Sequence, residues 1–160
     1  KEVQVIAWLE FYQKYFFTSD DIKQFFADKS ILYNFIKRLS NKKRIIKINK
    51  NKYYLIPIKA KSGAWIPHEF IIVDEICNSG EYYLGGWTSA NYWKLTDQVP
   101  FTIEAFTTKK QCRINILNTK IYFHRIRKID KSKYIIKKIA GHEFKILNKK
   151  ESKKWLKSRE

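Results

Sequence analysis

Residues 30–55 read SILYNFIKRLSNKKRIIKINKNKYYL, a helical pattern running into a basic hairpin. At about 100° per residue, Ile31, Leu32, Phe35, Ile36 and Leu39 fall on one side of a helix. Ser30, Tyr33, Asn34, Lys37 and Arg38 fall on the other. The chain then turns through Ser40-Asn41-Lys42-Lys43. Arg44 to Ile48 and Tyr53 to Ile56 are strand-like, rich in β-branched and aromatic types. Asn49-Lys50-Asn51-Lys52 joins them, and asparagine tolerates the positive φ that a hairpin tip often needs.

Upstream, residues 3–16 predict an amphipathic helix. Val5, Ile6, Leu9 and Tyr12 or Gln13 keep its spacing, and Trp8, Phe11 and Tyr15 widen the apolar face. Thr18 and Ser19 suit a helix start, with Asp20 and Asp21 well placed in the first turn of a short helix reaching about Phe26. Ile22, Phe25 and Phe26 turn inward. Ala27-Asp28-Lys29 is a tight connection, and Ser30 is expected to cap the third helix. Three helices followed by a hairpin predict a winged helix-turn-helix over residues 1–57.

The polar face of the third helix suits duplex DNA. Asn34 and Arg38 are the base-reading candidates, because their side chains can bond bidentately to adenine and guanine. Ser30, Tyr33 and Lys37 join them as groove or phosphate contacts. Lys42, Lys43 and Arg44 lead into the hairpin, and Lys47, Lys50 and Lys52 lie on or near its tip, placed to grip backbone or a minor groove. The competing reading is a solvated helix and a hairpin edge kept from aggregating by lysine.

The charge pattern agrees with a polyanionic partner. Formal net charge is +18 over 160 residues. Residues 1–62 carry 14 Lys/Arg against 5 Asp/Glu, residues 63–119 carry 4 against 6, and residues 120–160 carry 15 against 4. Two basic blocks therefore flank a slightly acidic middle. A lysine-rich surface serving solubility alone is the alternative. Aromatic residues make up 16% of the chain, and most should anchor cores.

Several classes are disfavoured. Two Cys, 35 positions apart, make no disulfide framework and read as reduced thiols of a cytoplasmic protein. No apolar run approaches the ~20 residues of a membrane span, and no stretch reads as a signal peptide. His68, His124 and His142 lie in no metal-ligand spacing, so neither metal nor cofactor is expected. Asp74-Glu75 and Asp130 do not make a nuclease signature, and no nucleotidyltransferase pattern is present. The chain starts at Lys1 and lacks Met, which reads as a trimmed product.

Residues 58–66 read as a linker. Pro67 suits the first turn of a helix to about Cys77, which Asn78-Ser79-Gly80 breaks. Tyr82 to Leu84 reads as a short strand, and Gly85-Gly86 precedes a helix over about Thr88 to Leu95. Phe101 to Thr107 is extended, and Ile114 to Leu117, Ile121 to Ile126, Ile135 to Ile139 and Phe144 to Leu147 are further strands. Asn148 and Glu151 form a plausible capping box for a last helix. The fold class is therefore α+β, a winged helix-turn-helix followed by a small mixed α+β domain over residues 67–160.

YLGGWTSANYWKLTDQVPFTIEAFTTKK, residues 83–110, resembles the core segment of the AbiEi-type antitoxin family. That family belongs to type IV toxin–antitoxin and phage-abortive-infection systems. Trp87-Thr88-Ser89-Ala90 matches its small-residue helix start, and Val99 to Thr108 its extended strand. FFTSDDIKQFF followed by ILYNFIKRLSNKKRIIKINKNKYYLIP is similar to its winged-helix domain. Together the matches cover about Phe16 to Lys110.

The resemblance implies an antitoxin that represses its own operon at promoter inverted repeats and counteracts a nucleotidyltransferase-like toxin, with or without touching it. It implies no catalysis by this chain. It also makes Trp87, Ser89, Asn91 and Tyr92 a candidate recognition surface, against the reading that Ser89 and Ala90 are small for close packing while Trp87 fills core. Two departures stand out. The family usually has Gly in the turn before the wing, where this chain has Lys42-Lys43. It also tends to continue past Glu160, so the terminal helix reads as the stump of a longer region. The other functions considered are a plain winged-helix regulator whose second domain senses a ligand or self-associates, and a nuclease.

Overall fold

The computed structural model describes residues 1–57 and 67–160. The expected linker at 58–66 lies outside the described residues. The chain divides into two compact units, Lys1–Ile66 and Pro67–Glu160. The described residues hold six helices and nine strands in two sheets, an α+β protein.

The first unit runs α1 (Glu2–Phe11), β1 (Phe16–Thr18), α2 (Ser19–Ile22), a single 3-10 turn (Lys23–Phe25), α3 (Lys29–Asn41), β2 (Ile45–Lys47) and β3 (Lys52–Leu55). The strands form an antiparallel sheet in the order β1-β3-β2. Its core gathers Val5 and Leu9 of α1, Phe17 of β1, Ile22 of α2, Phe35 and Leu39 of α3, and Leu55 of β3. Burying these apolar faces together is what holds short helices that would be marginal alone.

The first helix is shorter than its spacing suggests. It stops at Phe11, and Gln13 takes φ 52°, so the chain turns and Phe16–Thr18 becomes a strand against β3. Phe11, expected on the inward face, is 80% exposed. Ser30 is not the cap of α3. Asp28 is: its carboxylate accepts the Ile31 N–H at 2.9 Å, and Ser30 lies within the first turn. Asp21 accepts from the Thr18 N–H at 2.8 Å and pairs with Lys14 at 2.8 Å. Burial raises its pKa, but these bonds outweigh it and hold the carboxyl below its ordinary value.

The second unit runs α4 (Glu69–Ile76), β4 (Tyr82–Leu84), α5 (Gly86–Tyr92), β5 (Ile103–Thr107), β6 (Cys112–Ile116), β7 (Thr119–Arg125), β8 (Tyr134–Ile139), β9 (His142–Leu147) and α6 (Lys149–Lys157). One mixed sheet has the order β6-β7-β5-β4-β9-β8. β5 runs parallel to β7 and β4 parallel to β9; the other neighbours are antiparallel. Ile103, Ala105, Ile121, Phe123, Leu84 and Ile146 are buried.

Two tight turns fix register here. Leu117 and Asn118 both have positive φ between paired Ile116 and Thr119, as do Ala140 and Gly141 between Ile139 and His142. Both positions of such a two-residue hairpin turn require left-handed backbone. Leu117 is therefore a turn residue rather than the end of a strand. Pro67 lies ahead of α4, whose N-cap is His68. The expected capping box at α6 is half made: Asn148 accepts the Glu151 N–H, while its own N–H donates to the Lys133 carbonyl.

Candidate nucleic-acid interface

α3 presents the polar face that its sequence predicts. Leu32, Phe35, Ile36 and Leu39 are buried, and Ser30, Tyr33, Asn34, Lys37 and Arg38 are exposed. Tyr33 is 67% exposed, so a ring is held in solvent on the same side as the amide and the cations. Ile31, expected inside, is 44% exposed and borders this face. Arg38 lies over the Phe35 ring, 5.6 Å from its centroid, which steadies the guanidinium stem while leaving the head accessible.

The end of α3 is fixed by a particular backbone device. The Arg44 N–H donates to the Leu39 carbonyl and the Lys43 N–H to the Ser40 carbonyl, with Lys43 at φ 58°. This is a Schellman closure with lysine at the position glycine usually takes. It points the chain directly into β2. β2 and β3 then pair from Ile45↔Leu55 to Lys47↔Tyr53. The hairpin tip closes through Asn49, whose side chain accepts the Asn51 N–H at 3.0 Å.

The basic residues of this region differ in availability. Lys43, Lys47 and Lys50 are exposed. Lys42 is exposed but bonds Glu2 of α1 at 3.0 Å, so part of its charge is already neutralised. Arg44 is half-buried ahead of β2. Lys52 is half-buried within β3 opposite Thr18, below the tip rather than on it.

The candidate recognition surface around α5 is largely dismantled. Ser89 is fully buried, and its hydroxyl donates to the Gly86 carbonyl, so it is no part of a surface. Tyr92 packs against Phe70, Phe144 and Trp93. The Asn91 amide is spent on the Gln98 carbonyl at 3.1 Å. Trp87 is half-buried with its ring edge-on to Trp155, and its backbone N–H donates to Glu104. Tight packing at Ser89 and Ala90 is the reason for their size.

The structure assembles two histidine–carboxylate pairs that spacing along the chain does not reveal. His124 of β7 meets Glu104 of β5 at 3.3 Å, 20 residues apart in sequence. His142 of β9 meets Glu75 of α4 at 2.8 Å and accompanies buried Asp74, which accepts from the Tyr82 hydroxyl at 2.6 Å and from Ser79 at 2.8 Å. Burial and then the Asp74 bond drive the Tyr82 phenol well above its ordinary range. Burial pushes the Cys77 thiol up to about 12, which leaves it a poor nucleophile. Strand register could have paired Glu104 with β7, had the parallel β5–β7 neighbourhood been known. Among the described residues, no group of three or more His, Cys, Asp or Glu could hold a metal ion. No helix among them is long and apolar enough to cross a membrane.

No protein-family model and no curated protein matches this sequence. The likeness to AbiEi-type antitoxins rests on the residues quoted for it.

Proposed function

We propose that this chain is a DNA-binding antitoxin of a type IV toxin–antitoxin system, acting in a prokaryotic cytoplasm. Its first unit would serve as a winged helix-turn-helix, with α3 in the major groove and the β2–β3 hairpin against the backbone or minor groove. Two copies would occupy a promoter inverted repeat and repress the operon. The second unit would oppose a nucleotidyltransferase-like toxin, with or without contact.

One observation carries the DNA reading: Tyr33, Asn34, Lys37 and Arg38 stand exposed on a helix whose opposite face is locked into the core. A face so held keeps its side chains at fixed spacing, which base reading needs. Lys43, Lys47 and Lys50 extend the cationic track along the turn and hairpin. The antitoxin part rests on the resemblance of residues 83–110.

The test is a binding titration of the intact chain on the DNA upstream of its own gene and on a scrambled duplex, at two salt concentrations. Specific binding should exceed non-specific binding by roughly 10³ or more. Affinity should fall steeply with salt, by about 0.9 in log–log slope per phosphate contact. Equal affinity for both duplexes sinks the operator reading. Co-expression with the neighbouring gene tests the antitoxin part: growth rescued by this chain supports it, and unrelieved toxicity refutes it.

A further inference from the structure

One sheet face in the second unit carries chemistry that the DNA reading does not use. Strand pairing sets Tyr122 between Glu104 on β5 and Arg113 on β6, and sets Lys120 beside Asn115 on the β6 side. Alternation sends these side chains to one face, opposite the buried Ile103, Ala105, Ile121 and Phe123. A cleft of about 420 Å³ opens there, lined by Trp87, Phe101, Glu104, Arg113, Tyr122 and His124 among others. A smaller cleft of about 230 Å³ shares Thr102 and Arg113 with it and runs on to Asn115 and Lys120. Through these shared residues we read the two clefts as one groove, with the Glu104 carboxylate lining one part, Lys120 the other, and Arg113 common to both. Its larger part is within the ~300–1,000 Å³ usual for small-molecule sites.

The carboxylate is held in place. Glu104 Oε2 accepts the Trp87 backbone N–H at 2.8 Å, and Oε1 faces His124 Nε2 at 3.3 Å. Gly86, at φ +58°, lies against that carboxylate, and a Cβ there would collide with it. The His124 ring is itself wedged, stacked on Phe106 at 4.7 Å and edge-on to Tyr122 at 4.1 Å. Each Glu104 oxygen still has a second lone pair to offer. Around it are flat apolar surfaces: the Trp87 indole, the Tyr122 ring and the Phe101 ring, which is 98% exposed. Arg113 lies 4.3 Å from the centre of the Tyr122 ring, and its Cα lies diagonally from that of Lys120, about 7–8 Å away in such a pairing.

A ligand matching this groove brings two adjacent N–H donors for the carboxylate, a planar body for the aromatic rings and negative charge for Arg113 and Lys120. Of the four common bases, guanine alone presents two neighbouring donors, N1–H and the 2-amino group, on its Watson–Crick edge. Adenine and cytosine each place a lone pair where one donor is needed, and uracil flanks its one N–H with two carbonyls. An arginine side chain from a partner protein also offers parallel donors. Arg113, Lys120 and a net charge of +18 oppose that cation and favour an anion.

We propose that this groove binds a guanine nucleotide, with the base edge on Glu104 and the phosphates at Arg113 and Lys120. His124 is a positioning residue that orients the carboxylate. All the residues that line the groove belong to the second unit, and its test needs no DNA.

Calorimetric titration of the intact chain with GTP, ATP, tripolyphosphate and an arginine-rich peptide tests this. GTP should bind at least tenfold more tightly than ATP. Glu104→Gln keeps an oxygen for the Trp87 N–H but removes the charge and a donor's partner, so it should bring GTP down to the level of ATP. Arg113→Ala and Lys120→Ala, both exposed positions, should weaken GTP and ATP alike, with circular dichroism confirming that each variant is folded. Absence of GTP binding overturns the proposal. So does equal binding of GTP, ATP and tripolyphosphate, which would mean phosphate attraction only. Peptide binding that Glu104→Gln abolishes, without nucleotide binding, overturns it in favour of a protein partner.

Discussion

Replacing Lys43 by glycine should make the protein more stable and bind DNA more weakly. Lys43 closes α3 with φ 58°, a left-handed conformation in which a Cβ crowds the following carbonyl. That crowding costs a non-glycine residue roughly 1–2 kcal/mol. Glycine avoids it but loses about 0.5–1 kcal/mol more chain entropy on folding. The side chain is exposed, so no packing is lost. The balance lies between about 0 and 1.5 kcal/mol, a gain of about 0.75 kcal/mol at mid-range. For a unit of this size that mid-range gain raises the midpoint of thermal unfolding by about 3–6 °C. On the proposed DNA reading, the same change should also remove one phosphate contact and lower the log–log salt slope of DNA binding by about 0.9. Lys43→Ala is the control, because it deletes the charge and keeps the strained backbone. Differential scanning calorimetry and fluorescence anisotropy read the two effects. If Lys43→Gly is no more stable than Lys43→Ala, the helix-end account is wrong.

Three further substitutions probe other parts of the fold. Asp28→Ala should cost about 0.5–2 kcal/mol by removing the cap of α3, whereas Ser30→Ala should stay within about 0.5 kcal/mol; chemical denaturation that ranks them the other way would return the cap to Ser30. Tyr82→Phe should cost about 1–3 kcal/mol, because buried Asp74 loses its 2.6 Å hydrogen bond, and a change within error in the urea midpoint would contradict that. Burial opposes charge on His142, but its bonds to Glu75 and the Glu143 carbonyl, with Asp74 nearby, outweigh burial and hold its pKa above the ordinary 6.5. Stability from protonated His142 is then complete below pH 6.5 and declines as pH rises through the folded-state value. Urea midpoints measured from pH 6 to 9 should fall for the native chain and flatten for His142→Gln; parallel profiles would deny His142 that role.

The basic stretch from Ser30 to Leu55 was the most legible part of the chain. Its apolar positions recur at helical spacing, and all of them but Ile31 are buried in α3. The strands of the second unit were also readable, since buried apolar residues alternate along them, Ile121 and Phe123 in β7 and Phe144 and Ile146 in β9. Short elements were not. Phe16–Thr18 is three residues long, too short to show alternation, and it is a strand only because β3 lies beside it. α1 is apolar on both sides, so periodicity could not say that Phe11 points outwards. The cap of α3 is Asp28 and not the expected Ser30: both residue types suit that position, and backbone geometry chooses between them. The Glu104–His124 pair was hidden for a different reason: parallel β5 and β7 are joined through β6, and no local pattern announces that neighbour.

The most direct test of α3 as a reader of duplex DNA compares two neighbouring substitutions on it, Lys37→Ala and Arg38→Ala, for affinity on the upstream DNA and on scrambled duplex. Loss of Lys37 should weaken both alike. Loss of Arg38 should cost roughly 1–3 kcal/mol on the specific site and much less on random DNA. An equal loss on both duplexes for Arg38→Ala, or no loss for either substitution, would contradict the assignment of that helix.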